Sequence, residues 1–142
     1  MSLNILVVDD SAVMRTMITR ALGLSGLPIT EVYQAGNGQD ALHVLSDSCV
    51  DVALVDLNMP VMDGEEMIRQ VRERPALAEL PIIVVSTEGS FTRIAVLRKQ
   101  GAGFVHKPFS PETLRQAVIE LTGVTVDDQS ECGVEQGSGP DF

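Results

Sequence analysis

Three aspartates, a serine and a lysine stand where apolar runs turn polar, and together they could hold a hard cation beside a nucleophile. Ile5-Leu6-Val7-Val8 runs into Asp9-Asp10, and Val52-Ala53-Leu54-Val55 runs into Asp56. Ile82-Ile83-Val84-Val85 runs into Ser86-Thr87, and Phe104-Val105-His106 runs into Lys107-Pro108. Short β-branched runs without alternation are the pattern of strands buried on both faces, as in a parallel sheet. In such sheets ligands sit beyond the carboxyl ends of the strands. Three carboxylates, a hydroxyl and an ammonium would then converge on one crevice.

Three ionised carboxylates about 5 Å apart repel by roughly 3 kcal/mol per pair at an effective dielectric near 20. Lys107 offsets one charge; Mg²⁺, which favours carboxylate oxygens plus water, would offset two more. The set suits phosphoryl transfer. A carboxylate can attack phosphorus to give an aspartyl phosphate, while a metal and a lysine neutralise the equatorial oxygens and a hydroxyl hydrogen-bonds one of them. The competing reading is structural: Asp9 and Asp10 cap the first helix, and Asp56 merely ends a strand. Four strand ends aligned on one edge favour the chemical reading. The chain has no Ser-His-Asp arrangement, no Walker-type loop and no Gly-x-Gly-x-x-Gly. His43 and His106 lack metal-ligand company and read as solvated or strand-end histidines.

Positioning these groups falls to five strand–helix units in about 120 residues. The first helix spans about Ala12 to Leu24, with Met14, Met17, Ile18, Ala21 and Leu22 on its inner face; its methionines read as core packing rather than a cofactor box. A strand near Ile29–Ala35 follows, then a short helix carrying Ala41, Leu42 and Leu45. The helix after Asp63-Gly64 turns Met67, Ile68 and Val71 inward, and another runs from near Ser90 to Gly101 with Ile94, Ala95 and Leu97 inside. The last has Ser110 as N-cap, Pro111 at the first helical position and Gly123 as its stop, with Leu114, Ala117, Val118 and Leu121 as the inner stripe. Strict alternation predicts an α/β fold: a five-stranded parallel sheet with helices on both faces.

At 142 residues with a formal net charge of −10, the chain reads as one domain with little affinity for nucleic acid. No apolar run is long enough to span a membrane, no leader opens the chain, and Cys49 and Cys132 lack disulfide-framework spacing, so a cytoplasmic protein is expected. Cys49 reads as a small buried filler and Cys132 as an incidental thiol. The acidity is concentrated at the end. Residues 123–142 carry Asp127, Asp128, Glu131, Glu135 and Asp141 with no lysine or arginine, and read as a disordered or loosely docked tail after a domain of residues 1–122.

Val7-Val8-Asp9-Asp10-Ser11, Asp56-Leu57-Asn58-Met59-Pro60, Asp63-Gly64, Ser86-Thr87-Glu88 and Lys107-Pro108-Phe109 together resemble a two-component response regulator receiver domain. The resemblance covers about residues 4–122, and Asp-Asp-Ser-Ala-Val-Met-Arg at 9–15 is most similar to the stand-alone chemotaxis regulators. It implies a flavodoxin-like receiver fold with strand order 2-1-3-4-5. It also implies that Asp56 is the phosphoacceptor, and that Asp10, Asp56, the Asn58 carbonyl and, through water, Asp9 hold Mg²⁺. Lys107, before a cis bond to Pro108, would contact the phosphoryl group. Ser86 would swing its hydroxyl toward the phosphate, and Phe104 would occupy the aromatic switch position, without the hydroxyl that many members carry there. Asn58 and Glu88 would tune dephosphorylation. The phosphodonor would be a sensor histidine kinase or a phosphotransfer protein. With no output domain after Gly123, the target would be a separate protein. It would dock on the fourth helix, fifth strand and fifth helix, which present Arg93, Arg98, Lys99 and Phe104. Such a protein catalyses its own phosphotransfer and autodephosphorylation and is a signalling protein rather than a conventional enzyme.

Two other readings compete. A haloacid dehalogenase-like aspartyl-phosphate hydrolase would carry an acid two residues after its nucleophile, where this chain has Asn58. A flavodoxin-like binding protein would carry a Ser/Thr/Gly-rich phosphate loop after the first strand, where this chain has Asp-Asp-Ser.

Overall fold

Successive residues of the strands go to opposite sides of one sheet, and both sides are apolar. The computed structural model describes residues 2–57, 59, 61–87 and 89–123. Five strands, β1 (Leu3–Val8), β2 (Ile29–Ala35), β3 (Val52–Val55), β4 (Ile82–Ser86) and β5 (Ala102–His106), pair in parallel in the order β2-β1-β3-β4-β5. Leu6, Val8, Ala53, Val55, Ile82 and Val84 enter one core, while Ile5, Val7, Val52, Leu54, Ile83 and Val85 enter the other. That two-sided burial is why these runs show no polar alternation.

Five helices connect the strands: α1 (Ala12–Leu24), α2 (Gly38–Asp47), α3 (Gly64–Glu73), α4 (Phe91–Lys99) and α5 (Pro111–Thr122). α2, α3 and α4 cover the first core, through Leu42, Ile68 and Leu97 among others; α1 and α5 cover the second, through Ile18, Leu22, Leu114 and Val118. Each helix begins on a side chain that accepts a backbone N–H: Ser11, Asn37, Asp63, Ser90 and Ser110. Such caps satisfy donors that the first turn would otherwise leave open. Gly123 closes α5 at φ 71°, a left-handed conformation that glycine adopts without steric cost. Among the described residues, no helix is long and apolar enough to cross a membrane.

Three expectations fail. Met17 is half exposed, because the inner stripe of α1 is narrow and centred on Ile18, Ala21 and Leu22, with only Met14 reaching in from the first turn. Ala95 faces solvent: α4 is only weakly amphipathic, and Leu97 is its one buried residue. Cys49 is exposed, since it lies in the connection between α2 and β3 rather than on either element.

Candidate functional site

Backbone hydrogen bonds continue past the strand ends and lock the polar residues one step beyond the sheet. The Asp9 amide donates to the Ala35 carbonyl at 3.1 Å, the Asp56 amide to Val8 at 2.9 Å, and the Lys107 amide to Ser86 at 2.8 Å. Each residue is thereby tied to the strand beside its own. The loop after Asp56 folds back tightly, with the Gly64 amide donating to the Leu57 carbonyl at 3.0 Å. A Cβ at Gly64 would collide with the Asp56 carbonyl, so only glycine lets α3 start this close to the site. Val61 in the same loop holds φ 67°, a left-handed conformation costly for a β-branched side chain.

The three aspartates do converge. Asp9, Asp10 and Asp56 each offer a carboxylate oxygen within 4.8 Å of the others. Asp9 is only 2 % exposed and Asp56 9 %, whereas Asp10 faces solvent. The Lys107 ammonium sits between the two buried ones, 3.4 Å from Asp9 Oδ2 and 3.5 Å from Asp56 Oδ1. Burial pushes the Asp56 carboxyl above its ordinary pKa; Lys107 pulls it down and Asp9 pushes it further up, and the net effect is a rise. The helix-cap alternative fails for α1. Its cap is Ser11, whose Oγ accepts from the Met14 amide, while Asp9 Oδ1 accepts from the Ser11 amide and leaves Oδ2 toward Lys107.

Ser86 is buried at the end of β4, and β5 runs beside it with Val84 opposite Phe104 and Ser86 opposite His106. Alternation therefore puts Ser86 and Phe104 on the same face of neighbouring strands. Phe104 is partly buried against the first core, its ring tilted against His106. The Lys107–Pro108 peptide bond is cis, as the resemblance implied. Asn58 and Glu88 lie outside the described residues.

Two features of the site had not been anticipated. Arg15 donates from Nη1 to the Asp9 carbonyl at 2.6 Å and from Nε to Gln34 Oε1 at 3.0 Å, bracing the β1 end against β2. An arginine six residues after Asp9, in the second turn of α1, was the available signal. Arg93, expected to be a docking charge, is partly buried and donates from Nε to Glu65 Oε1 at 2.6 Å, bridging α4 to the first turn of α3. Arg98 and Lys99 remain exposed, as expected.

The response regulator receiver domain family matches residues 5–119. The chain belongs to the response regulator receiver family. This receiver is 34% identical over 123 residues to a chemotaxis protein CheY homolog of Campylobacter jejuni, covering 85% of this chain and 93% of that protein. It is 33% identical over 123 residues to chemotaxis protein CheY1 of Helicobacter pylori, covering 85% of this chain and 98% of that protein. The solved chemotaxis protein CheY4 of Vibrio cholerae superposes with a TM-score of 0.76 at 34% identity, over 85% of this chain and 99% of that one. The hydrolase and flavodoxin-like readings lose their footing against a family match over most of the chain.

Receiver domains bind Mg²⁺ at an acidic aspartate cluster, and this receiver has such a cluster. The donor set fits a hard cation with oxygen ligands. Three carboxylate oxygens within 4.8 Å of one another are the ligand type such a cation prefers, and with Asp10 exposed water would complete the site. If repulsion among the carboxylates limits the metal-free fold, neutralising one stabilises it. Asp10→Asn is expected to raise the metal-free melting temperature by a few degrees and to abolish stabilisation by millimolar Mg²⁺. Differential scanning calorimetry checks both. A lower melting temperature with an unchanged Mg²⁺ response would make Asp10 a structural residue.

Proposed function

We propose that this receiver is a phosphorylation-operated switch in which Asp56 accepts a phosphoryl group from a phosphohistidine of a sensor kinase or phosphotransfer protein. The observation that carries the reading is the Asp56 carboxylate held beside Lys107, with Asp9 on the ammonium's other side. In the transfer, an Asp56 oxygen bonds to phosphorus as the bond from phosphorus to the donor's imidazole nitrogen breaks. The electron pair of that bond stays on the imidazole. Lys107 holds positive charge against one equatorial oxygen, and the Ser86 hydroxyl donates to another. Asp9, Asp10, Asp56 and the Asn58 carbonyl would hold Mg²⁺, which supplies further neutralisation of the phosphoryl oxygens. The buried floor under Asp56 keeps this chemistry at one edge of the sheet.

The output follows from packing. Drawing Ser86 toward the phosphate opens space on the face it shares with Phe104, and Phe104 rotates inward, shifting the population between two arrangements of β5 and α4. A separate target protein reads the change on α4, β5 and α5, in the cytoplasm. The named relatives are chemotaxis proteins, which favours a behavioural output of the same kind. A phosphoryl mimic, beryllofluoride with Mg²⁺, is expected to move NMR signals through residues 86–107. Shifts confined to residues 9–11 and 56–60 would contradict the coupling.

Incubation with acetyl phosphate and Mg²⁺ is expected to add one phosphoryl group at Asp56, and Asp56→Asn is expected not to accept it there. Equal labelling of the variant in mass spectrometry would defeat the assignment. Asn58 and Glu88 are polar, two residues beyond Asp56 and Ser86 in sequence, and can hydrogen-bond an attacking water where bulky apolar residues would exclude it. The phosphorylated protein is therefore expected to decay in seconds to a few minutes, and more slowly in Asn58→Met or Glu88→Leu. A wild-type phosphoprotein lasting hours in Mg²⁺ would contradict this tuning and leave the phosphoacceptor intact.

A further inference from the structure

The end of the sheet opposite the aspartates carries a cleft of the opposite charge. Helices that return between parallel strands run antiparallel to them, so α4 and α5 both end at the edge where the strands begin. A cleft of about 430 Å³ opens there, lined among others by Arg72, Glu79, Lys99, Gly101 and Leu121. Leu121 belongs to the last turn of α5, so the chain leaves the described fold, after Gly123, beside this cleft.

The cleft is basic in a strongly acidic protein. Arg72 and Lys99 line it against a single acid, Glu79, and Arg98 precedes Lys99 in the last turn of α4, whereas the whole chain has a net charge of −10. Among the described residues, Arg98 and Lys99 have no ion-pair partner. Arg72 is bound to the carbonyls of Ala78, Leu80 and Gln100, with no carboxylate among its described partners. Glu79 is the opposing charge on the rim. The cleft wall also includes apolar Leu80, Pro81 and Leu121. The complement of such a surface is an acidic segment interspersed with small apolar residues. Residues 124–135 read Val-Thr-Val-Asp-Asp-Gln-Ser-Glu-Cys-Gly-Val-Glu and hold no cation. Four extended residues span at most about 14 Å, which is the tether between Gly123 and Asp127.

We infer that the acidic segment at residues 124–135 docks in cis on the cleft at the base of α4, its carboxylates facing Lys99, Arg98 and Arg72. The tether makes the contact intramolecular, so weak charge pairs suffice to populate it. Docked there, the segment occupies the base of α4 and competes with any acidic partner for that helix. The inference stands apart from the phosphoacceptor assignment, since it uses none of the residues at the carboxyl ends of the strands.

The test uses the full chain. In a Cys49→Ser background, which alters an exposed side chain, a nitroxide attached to Cys132 reports where the segment spends its time. At low salt, the amide signals of Arg98 to Gly101 and of Ala78 are expected to lose more than half their intensity. They are expected to recover in 0.5 M NaCl, in Asp127→Asn/Asp128→Asn/Glu131→Gln/Glu135→Gln, and in Arg98→Glu/Lys99→Glu. Broadening that ignores salt and both charge variants is that of a tether sampling the neighbourhood of Gly123, and overturns the inference. Broadening seen only when labelled chain is mixed with unlabelled ¹⁵N chain means docking between copies, and overturns it too.

Discussion

Like charge held at a buried edge is the constraint on which the rest of the molecule depends. Two of the three carboxylates are almost wholly removed from water, and one ammonium lies 3.4–3.5 Å from both. Within 4.8 Å of each other, a pair of carboxylates repels by at least roughly 3.5 kcal/mol at an effective dielectric of 20, a large fraction of the net stability of a domain of this size. The cluster therefore persists only because the sheet beneath it is over-determined. Ladder bonds extend past the ends of β1, β3 and β5, Arg15 braces the Asp9 carbonyl, and two apolar cores clamp the strands from both sides. The same excess negative charge suits the cluster to a dication of the kind receiver domains bind, and Lys107 is the positive charge nearest both buried carboxylates among the described residues. Stability given up at the edge is the source of the chemistry.

A different property of the same sheet lies on the face of β4 and β5. β4 and β5 carry Ser86 and Phe104 on one face, so the hydroxyl at the polar edge and the ring two residues deeper share one side of the sheet. α4 is lightly anchored. It has a single buried residue, a weakly apolar inner face and a partly buried ion pair from Arg93 to Glu65 as its tie to α3. Helices held by few apolar contacts are drawn from the low-stability end of a structure, where switching elements belong.

Sequence alone revealed the strands and the polar residues that end them, because β1, β3 and β4 are buried on both faces and break into polar residues abruptly. β2 and the ends of α1 were legible to the residue, since Gly26 and Pro28 punctuate them. What stayed hidden was orientation. Met17 and Ala95 sit within apolar patterns but outside the narrow stripes that α1 and α4 bury. Arg93 looked like a surface charge because its partner, Glu65, is 28 positions away and joins it only when α3 packs beside α4. Arg15 was overlooked for a related reason: its target is a backbone carbonyl, which carries no mark in a sequence.

Burial and a neighbouring carboxylate raise the proton affinity of Asp56 when no cation is present. Carboxyl-selective ¹³C NMR of aspartate-labelled protein, titrated against pH with Mg²⁺ absent and then saturating, reads this directly. A raised folded-state pKa means that ionising Asp56 costs the metal-free fold stability as pH rises through that pKa, and that Mg²⁺ restores it. The Asp56 midpoint is expected above the ordinary aspartate value near 3.8 without metal, with a marked fall on adding Mg²⁺. An Asp56 midpoint below the ordinary value in metal-free protein, unmoved by Mg²⁺, would mean instead that Lys107 alone balances the site and that burial does not dominate it.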